Sequence, residues 1–393
     1  MTELDFLPFD ADNHYYEALD AFTRHVDPKM RSRCVEWCEI GGRRYHVVGG
    51  MVSHAVVNPT FDPIAKAGAM HDYFRGNAGG RSPAEFLRDR EPIPAHYRTN
   101  EARLAVMDQQ GLEKVWLFPT LGVLYEEPLR HDPEAVCHLY TAFNRWLDED
   151  WGCNYEDRIF AAPYIPMASV EHMCSELEWA LDRDARVVCM RPAAATLATG
   201  RVSPFHTDFD PFWARVDESG ITVVVHAGDS GYSSQGWAPD DTFGGFQGGG
   251  PTVRAFAIER AAHDFLVQAV FEKLFVRFPN IRMASVENGS EYLRDMFKKI
   301  RSMVKKQPGW FADHDPIETF REHVWINPFW EDDPYEIVDV MGADRVIFGS
   351  DWPHIEGMPS PLDYVREVKE LDDASQRLVL RENAMALNER RPR

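Results

Sequence analysis

The chain has 393 residues, 44% of them apolar and 27% charged, proportions of an ordinary folded protein that leave disordered and collagen-like classes without support. Forty-two basic side chains stand against 63 acidic ones, a formal charge of −21; such a surface repels phosphate backbones and anionic lipid headgroups, so neither nucleic acid nor a membrane is an expected partner. Residues Met1–Asp10 lack the basic start and apolar stretch of a signal peptide, and no uninterrupted apolar run is long enough to span a bilayer, so the expected location is the cytoplasm.

In chain order, the first apolar run, Leu7–Asp12, predicts a strand that leads into Asn13 and His14. The stretch 27–99 has no regular alternation of strand and helix: Cys34 and Cys38 are spaced for successive turns of a helix, GGRRYHVVGG resembles a hairpin, and irregular Pro- and Gly-bearing sequence leads to a helix near Arg103–Gln110. Arg98 to Arg103 suit a helix start and surface charge. Six cysteines in so long a chain are expected to be free thiols. Strands at Val115–Pro119, Ile159–Pro163, Val187–Arg191 and Thr222–His226 then alternate with helices at Asp132–Asp150, Ser169–Asp184 and Pro211–Ser219. Residues 228–252 interrupt with glycine clusters around Trp237, Phe243 and Phe246, a candidate lid without the Lys-Ser/Thr of a phosphate loop. Strands Ile281–Glu287, Val324–Pro328 and Val346–Asp351 complete the series, with helices Arg254–Phe278, Ser290–Lys306, Pro334–Met341 and Ser375–Asn388.

Runs such as TVVVH are apolar at nearly every position, as strands buried on both faces of a parallel sheet require. Eight strand and helix units predict a (β/α)8 TIM barrel, a single domain over 1–393 with a long insertion after strand one, at about 27–99, and a Gly/aromatic loop after strand five. Chemistry in such a barrel sits at the carboxyl ends of the strands. Asp12 and His14, two apart on one strand, point the same way, while His226, Glu287 and Asp351 end the fifth, sixth and eighth runs. Carboxylates are almost never buried unless paired or bound to a metal, so this convergence predicts a cation site.

From DADNHYYE through VVHAGD, SVENGSEYL and INPFWEDD to FGSDWPHIEG, the chain resembles the amidohydrolase superfamily, in the amidohydrolase-related branch that includes aromatic acid decarboxylases. The most specific signal is FGSDWPH. The resemblance implies that Asp12 and His14 are strand-one metal ligands, His226 the strand-five ligand, and Asp351 both ligand and acid/base. Asp12 stands where many members have His, and Glu287 where a strand-six His is common. The resulting set of two imidazoles and three carboxylates predicts one or two divalent ions per chain, with iron and manganese as credible as zinc. Arg191, ending the fourth run, is expected either to anchor a substrate carboxylate or to form a salt bridge. His354 is expected to reach the metal or the substrate. Asn327 and Glu331–Asp333 are candidates to orient ligands, with Asp332 or Asp333 capping the helix at Pro334.

The expected activity is metal-dependent hydrolysis, or decarboxylation, of a small apolar or aromatic substrate, a character suggested by Trp237, Phe243, Phe246, Phe329 and Trp330. The alternative is a non-haem di-iron oxygenase hydroxylating a lipophilic substrate on the same barrel. A purely structural ion is disfavoured because such cages are typically closed and cysteine-rich, and only Cys189 comes near a strand end. A homodimer is the default assembly.

Overall fold

The computed structural model describes residues 4–232, 235–236 and 253–392. The first barrel strand, Phe9–Tyr15, lies parallel to the second, Lys114–Pro119, which pairs with the third, Ile159–Ala161. A second parallel ladder runs in the order fourth, fifth, sixth, seventh through Val187–Met190, Thr222–His226, Arg282–Val286 and Val324–Ile326. Single parallel bridges join the ladders, Tyr164 to Cys189 on one side, then Ile326 to Val346 and Asn13 to Trp352 on the other. Residues 346–352 therefore take the eighth place, and the chain is a TIM barrel.

That eighth run is not the regular strand expected. Ile347 donates its N–H to Ile326, while Phe348 and Asp12 accept from Ala11 and Asp351. Past Phe348 the chain presses so closely on the first strand that a Cβ on Gly349 would lie 2.3 Å from the Asp12 Cβ. Asp10 fastens this junction. Its carboxylate accepts from the Ser350 N–H at 3.0 Å, the Ser350 hydroxyl at 2.6 Å and the Asn13 amide at 2.8 Å.

Around the barrel, helix Pro133–Asp150 begins where the Asp132 side chain caps the Ala135 N–H, and it buries Leu139, Phe143, Trp146 and Leu147. The expected helix over 254–278 is broken: Lys273 sits in the left-handed region, φ 54°, between Ala257–Phe271 and Leu274–Arg277. Helix Pro316–His323, capped by Asp315, was not foreseen. The last helix divides into Asp373–Arg377, a π-helical turn at Leu378–Glu382, and Asn383–Asn388. No helix among the described residues is long and apolar enough to cross a membrane.

The insertion after the first strand contains the hairpin, Val35–Ile40 antiparallel to Arg43–Val48, turning through Gly41 and Gly42 at positive φ. Cys34 and Cys38 are consequently not on a helix: Cys34 precedes the strand and Cys38 faces Tyr45 across it. The two-residue glycine turn and the partner strand outweigh the helical spacing. All six thiols are free, as expected. Trp237, Phe243 and Phe246 of the expected lid lie outside the described residues.

Candidate metal centre

Asp12, His14, His226, Glu287 and Asp351 come together at the carboxyl ends of their strands. His14 and His226 are wholly buried and Asp12 and Asp351 nearly so; Glu287 keeps a slight opening to solvent. His14 Nε2 lies 3.3 Å from Asp12 Oδ1, 3.3 Å from Asp351 Oδ1 and 3.6 Å from Glu287 Oε2. His226 Nε2 lies 3.4 Å from Asp12 Oδ1 and 3.3 Å from Glu287 Oε2.

The orientation of His226 is set by main chain. Its Nδ1 is 2.9 Å from the Ala227 carbonyl, which can only accept, so Nδ1 carries the proton and the Nε2 lone pair faces the carboxylates. His14 Nδ1 and Nε2, His226 Nε2 and Asp12 Oδ1 are buried without a hydrogen-bond partner, a costly arrangement unless a cation completes it. Donor atoms of Asp12, His14, His226 and Glu287 lie within 4.8 Å of one another, and so do those of His14, Glu287, Asp351 and His354. Nitrogen and oxygen donors in this proportion fit a divalent metal ion.

Proton affinities carry the same signature. Burial opposes charge on His14, yet contact with Asp12 and Glu287 raises it to about 9. Burial, reinforced by the charges of Glu287, Glu356 and Asp12, pushes Asp351 well above the usual carboxylate range. With no ion among them, so many carboxylates in one buried space favour protons on both groups; a cation would take the place of those protons and leave Asp351 able to accept one. Glu287 and Asp351 also share a left-handed backbone, φ 55° at each, a conformation that costs a non-glycine residue about 1–3 kcal/mol and that clusters at working sites. The Glu287 N–H is held by Asn327 Oδ1 at 3.2 Å, which ties Asn327 to the main chain of Glu287. Asp333 caps its helix by accepting from Tyr335 and Glu336, as expected, whereas Asp332 accepts from the Ser290 hydroxyl.

Arg191 is fully buried and its charge is answered twice, by Glu126 at 3.1 Å and Glu127 at 2.9 Å, while Asp229 O accepts from Nη1. Salt bridging is therefore what the structure shows, although the partners come from the loop after the second strand rather than from a ligand or a strand end. Nε and Nη2 make no hydrogen bond, Nε being held by the ion pair with Glu126. His354 stacks on His14, ring centroids 3.9 Å apart, with Nδ1 2.5 Å from Asp351 Oδ1 and Nε2 2.9 Å from Thr120 Oγ1.

Arg103 corrects the expectation of surface charge. It is wholly buried, donates to the carbonyls of His14 and His96 at 2.6 Å each and to Asn13 Oδ1, and lies 4.8 Å from the Trp352 ring. It thus pins the end of the first strand at Asn13 and His14. Arg98, also partly buried, donates to the main chain of Tyr16, Glu17 and Thr60. Thr120, Glu126 and Glu127 were likewise missed. The available signal was an acidic pair inside the apolar stretch LGVLYEEPL, which an Arg ending a buried strand demands.

Comparison with known proteins agrees with this architecture. An amidohydrolase from Mycobacterium avium subsp. paratuberculosis K-10 superposes with a TM-score of 0.92 at 38% identity, covering 98% of this chain and all of that one. A gamma-resorcylate decarboxylase of Rhizobium radiobacter is 24% identical over 267 residues, 64% of this chain and 76% of that protein. A dihydroxybenzoic acid decarboxylase from Polaromonas sp. JS666, solved with manganese and 2-nitroresorcinol, shares the fold at a TM-score of 0.56 and 15% identity, covering 81% and 93% of the two chains. With residues 93–387 matching the amidohydrolase family model and the strand ends assembled as above, the chain belongs to the amidohydrolase family.

Proposed function

We propose that this protein is a metal-dependent hydrolase of small, apolar or aromatic, uncharged substrates, with Asp12, His14, His226 and Glu287 as ligands and Asp351 as the acid/base. The observation that carries the reading is the set of buried, unpartnered donor atoms on Asp12, His14 and His226 facing Asp351. A bound divalent ion supplies a lowered pKa for water and polarisation of the scissile group. Asp351 takes the proton of the attacking water and returns it to the leaving group. Glu126 and Glu127 already neutralise Arg191, so a clamp by this residue on a substrate carboxylate would have to displace an ion pair, which favours hydrolysis over decarboxylation.

The test is to load the purified protein with manganese or zinc and offer aryl esters, anilides and aromatic acids. Cleavage of the first two supports the proposal, and carbon dioxide release from aromatic acids alone would replace it with decarboxylation. Asp351→Asn is expected to keep metal and lose at least about 100-fold in turnover, whereas His226→Ala loses metal; full occupancy in His226→Ala would refute the ligand assignment. A second reading, oxygen activation at two irons, is favoured by the two overlapping donor groups that share His14 and Glu287. Two irons per chain with oxygen uptake would select it.

A further inference from the structure

Beyond Asp351 the chain makes a closed loop at the carboxyl end of the barrel. The His354 N–H returns to the Asp351 carbonyl and the Met358 N–H to Ser350 O, each at 2.9 Å, and a Cβ on Gly357 would lie 2.3 Å from Asp351 O. On the outer side, the carbonyls of His354 and Ile355 accept from the Gly68 and Met70 N–H groups, and that of Glu356 from the Trp330 indole at 2.9 Å. The main chain of Glu356 is therefore fixed beside Asp351. Its side chain is half-buried, and among the described residues only its own N–H hydrogen-bonds to the carboxylate. Glu356 belongs to neither donor group of the metal centre. Burial and the charge of Glu287 push it up to about 7, and the neighbouring cation, Arg75, which lies 4.8 Å from the Trp330 ring, is paired with Glu367 at 2.8 Å.

A carboxylate that is partly desolvated and has no donor of its own gains from any N–H or O–H that replaces the water left against it. We infer that Glu356 is a specificity-determining residue whose carboxylate accepts a hydrogen bond from an N–H or O–H group of the uncharged substrate, on a flank remote from the scissile bond. A substrate whose scissile group faces Asp351 brings that flank to Glu356, because the closed loop holds the two residues together. A site built to receive a donor rejects the analogue lacking it far more sharply than an apolar wall rejects an added hydroxyl. The inference rests on the metal-dependent hydrolase reading above for where the scissile group lies.

The test compares two matched esters on the manganese-loaded full chain: a phenyl acetate bearing a primary carboxamide, and the same ester bearing an acetyl group, which keeps the shape and the carbonyl but has no N–H. Initial rates, and calorimetric binding of benzamide against acetophenone, are measured for the wild type, Glu356→Gln and Glu356→Leu. The wild type is expected to favour the carboxamide by about 10–100-fold in KM and in calorimetric affinity, with kcat little changed. The preference shrinks in Glu356→Gln, which keeps only a neutral acceptor, and vanishes in Glu356→Leu, while manganese uptake stays the same. Glu356→Gln, nearly isosteric, decides the matter if the leucine variant does not fold. Equal handling of the two compounds by the wild type, or a full preference kept in the variants, overturns this inference and leaves the hydrolase proposal standing. Loss of manganese in the variants overturns it as well, by making Glu356 a ligand. A wild type that cleaves neither ester overturns the hydrolase proposal, and the calorimetric comparison then still decides the role of Glu356.

Discussion

Replacing Arg103 by leucine would strand the acceptors it serves on Asn13, His14 and His96. Each buried acceptor left unmade costs about 1–3 kcal/mol, so Arg103→Leu is expected to lose at least about 3 kcal/mol in urea unfolding. Arg103→Lys should recover little, because one ammonium does not reproduce a planar fork reaching three acceptors. A loss under about 1 kcal/mol would reduce Arg103 to a space-filler. The residue was hidden in the sequence because its burial comes from Trp151 and Trp352, contributed by distant parts of the chain. The converging residues Asp12, His14, His226, Glu287 and Asp351 were legible for the opposite reason: a polar group ending an apolar strand of a parallel barrel has only the mouth to occupy. Thr120 carried no such mark, since a threonine after a strand is ordinary turn chemistry.

At the scale of elements, the insertion hairpin buttresses the arginine-holding loop. His46, on the strand Arg43–Val48, is buried with its ring 3.9 Å from Trp37 and Nδ1 2.7 Å from the Tyr125 hydroxyl, and Tyr125 directly precedes Glu126 and Glu127. Burial, with a smaller push from Arg44, lowers His46 to about 3. The unfolded chain takes up that proton near pH 6.5. Between these values the unfolded state binds the extra proton, so this stability is fully present above about pH 6.5 and is lost as pH falls toward 3, with a slope of at most about 1.4 kcal/mol per unit. Urea unfolding from pH 7 to 4.5 should therefore show a shallower acid loss in His46→Gln than in the wild type, and parallel curves would sink the assignment. The hairpin itself was legible in its glycine turn. The break at Lys273 was not, because a left-handed lysine leaves no trace in composition or periodicity, and the eighth strand lost its regularity to contact with Asp12 rather than to anything local.

For the whole molecule, a metal that binds only the folded state adds stability by mass action, about 2.7 kcal/mol at one hundred times its dissociation constant. A chelator is thus expected to lower the melting temperature, and Asp10→Ala, which releases Ser350 and Asn13 together, should lower it whether or not metal is present. An unchanged melting temperature on chelation would separate the ion from folding. The barrel ring consists of two arcs, the first to third strands and the fourth to seventh, meeting at single bridges. Asp12 and His14 belong to one arc, His226 and Glu287 to the other. An ion gripped by both is a clasp across the joints, and amide hydrogen exchange would register it: Val224 and Ser285, deep in the longer arc, should exchange only through global unfolding, whereas Cys189 and Ile347 at the joints should exchange sooner and slow once metal is supplied.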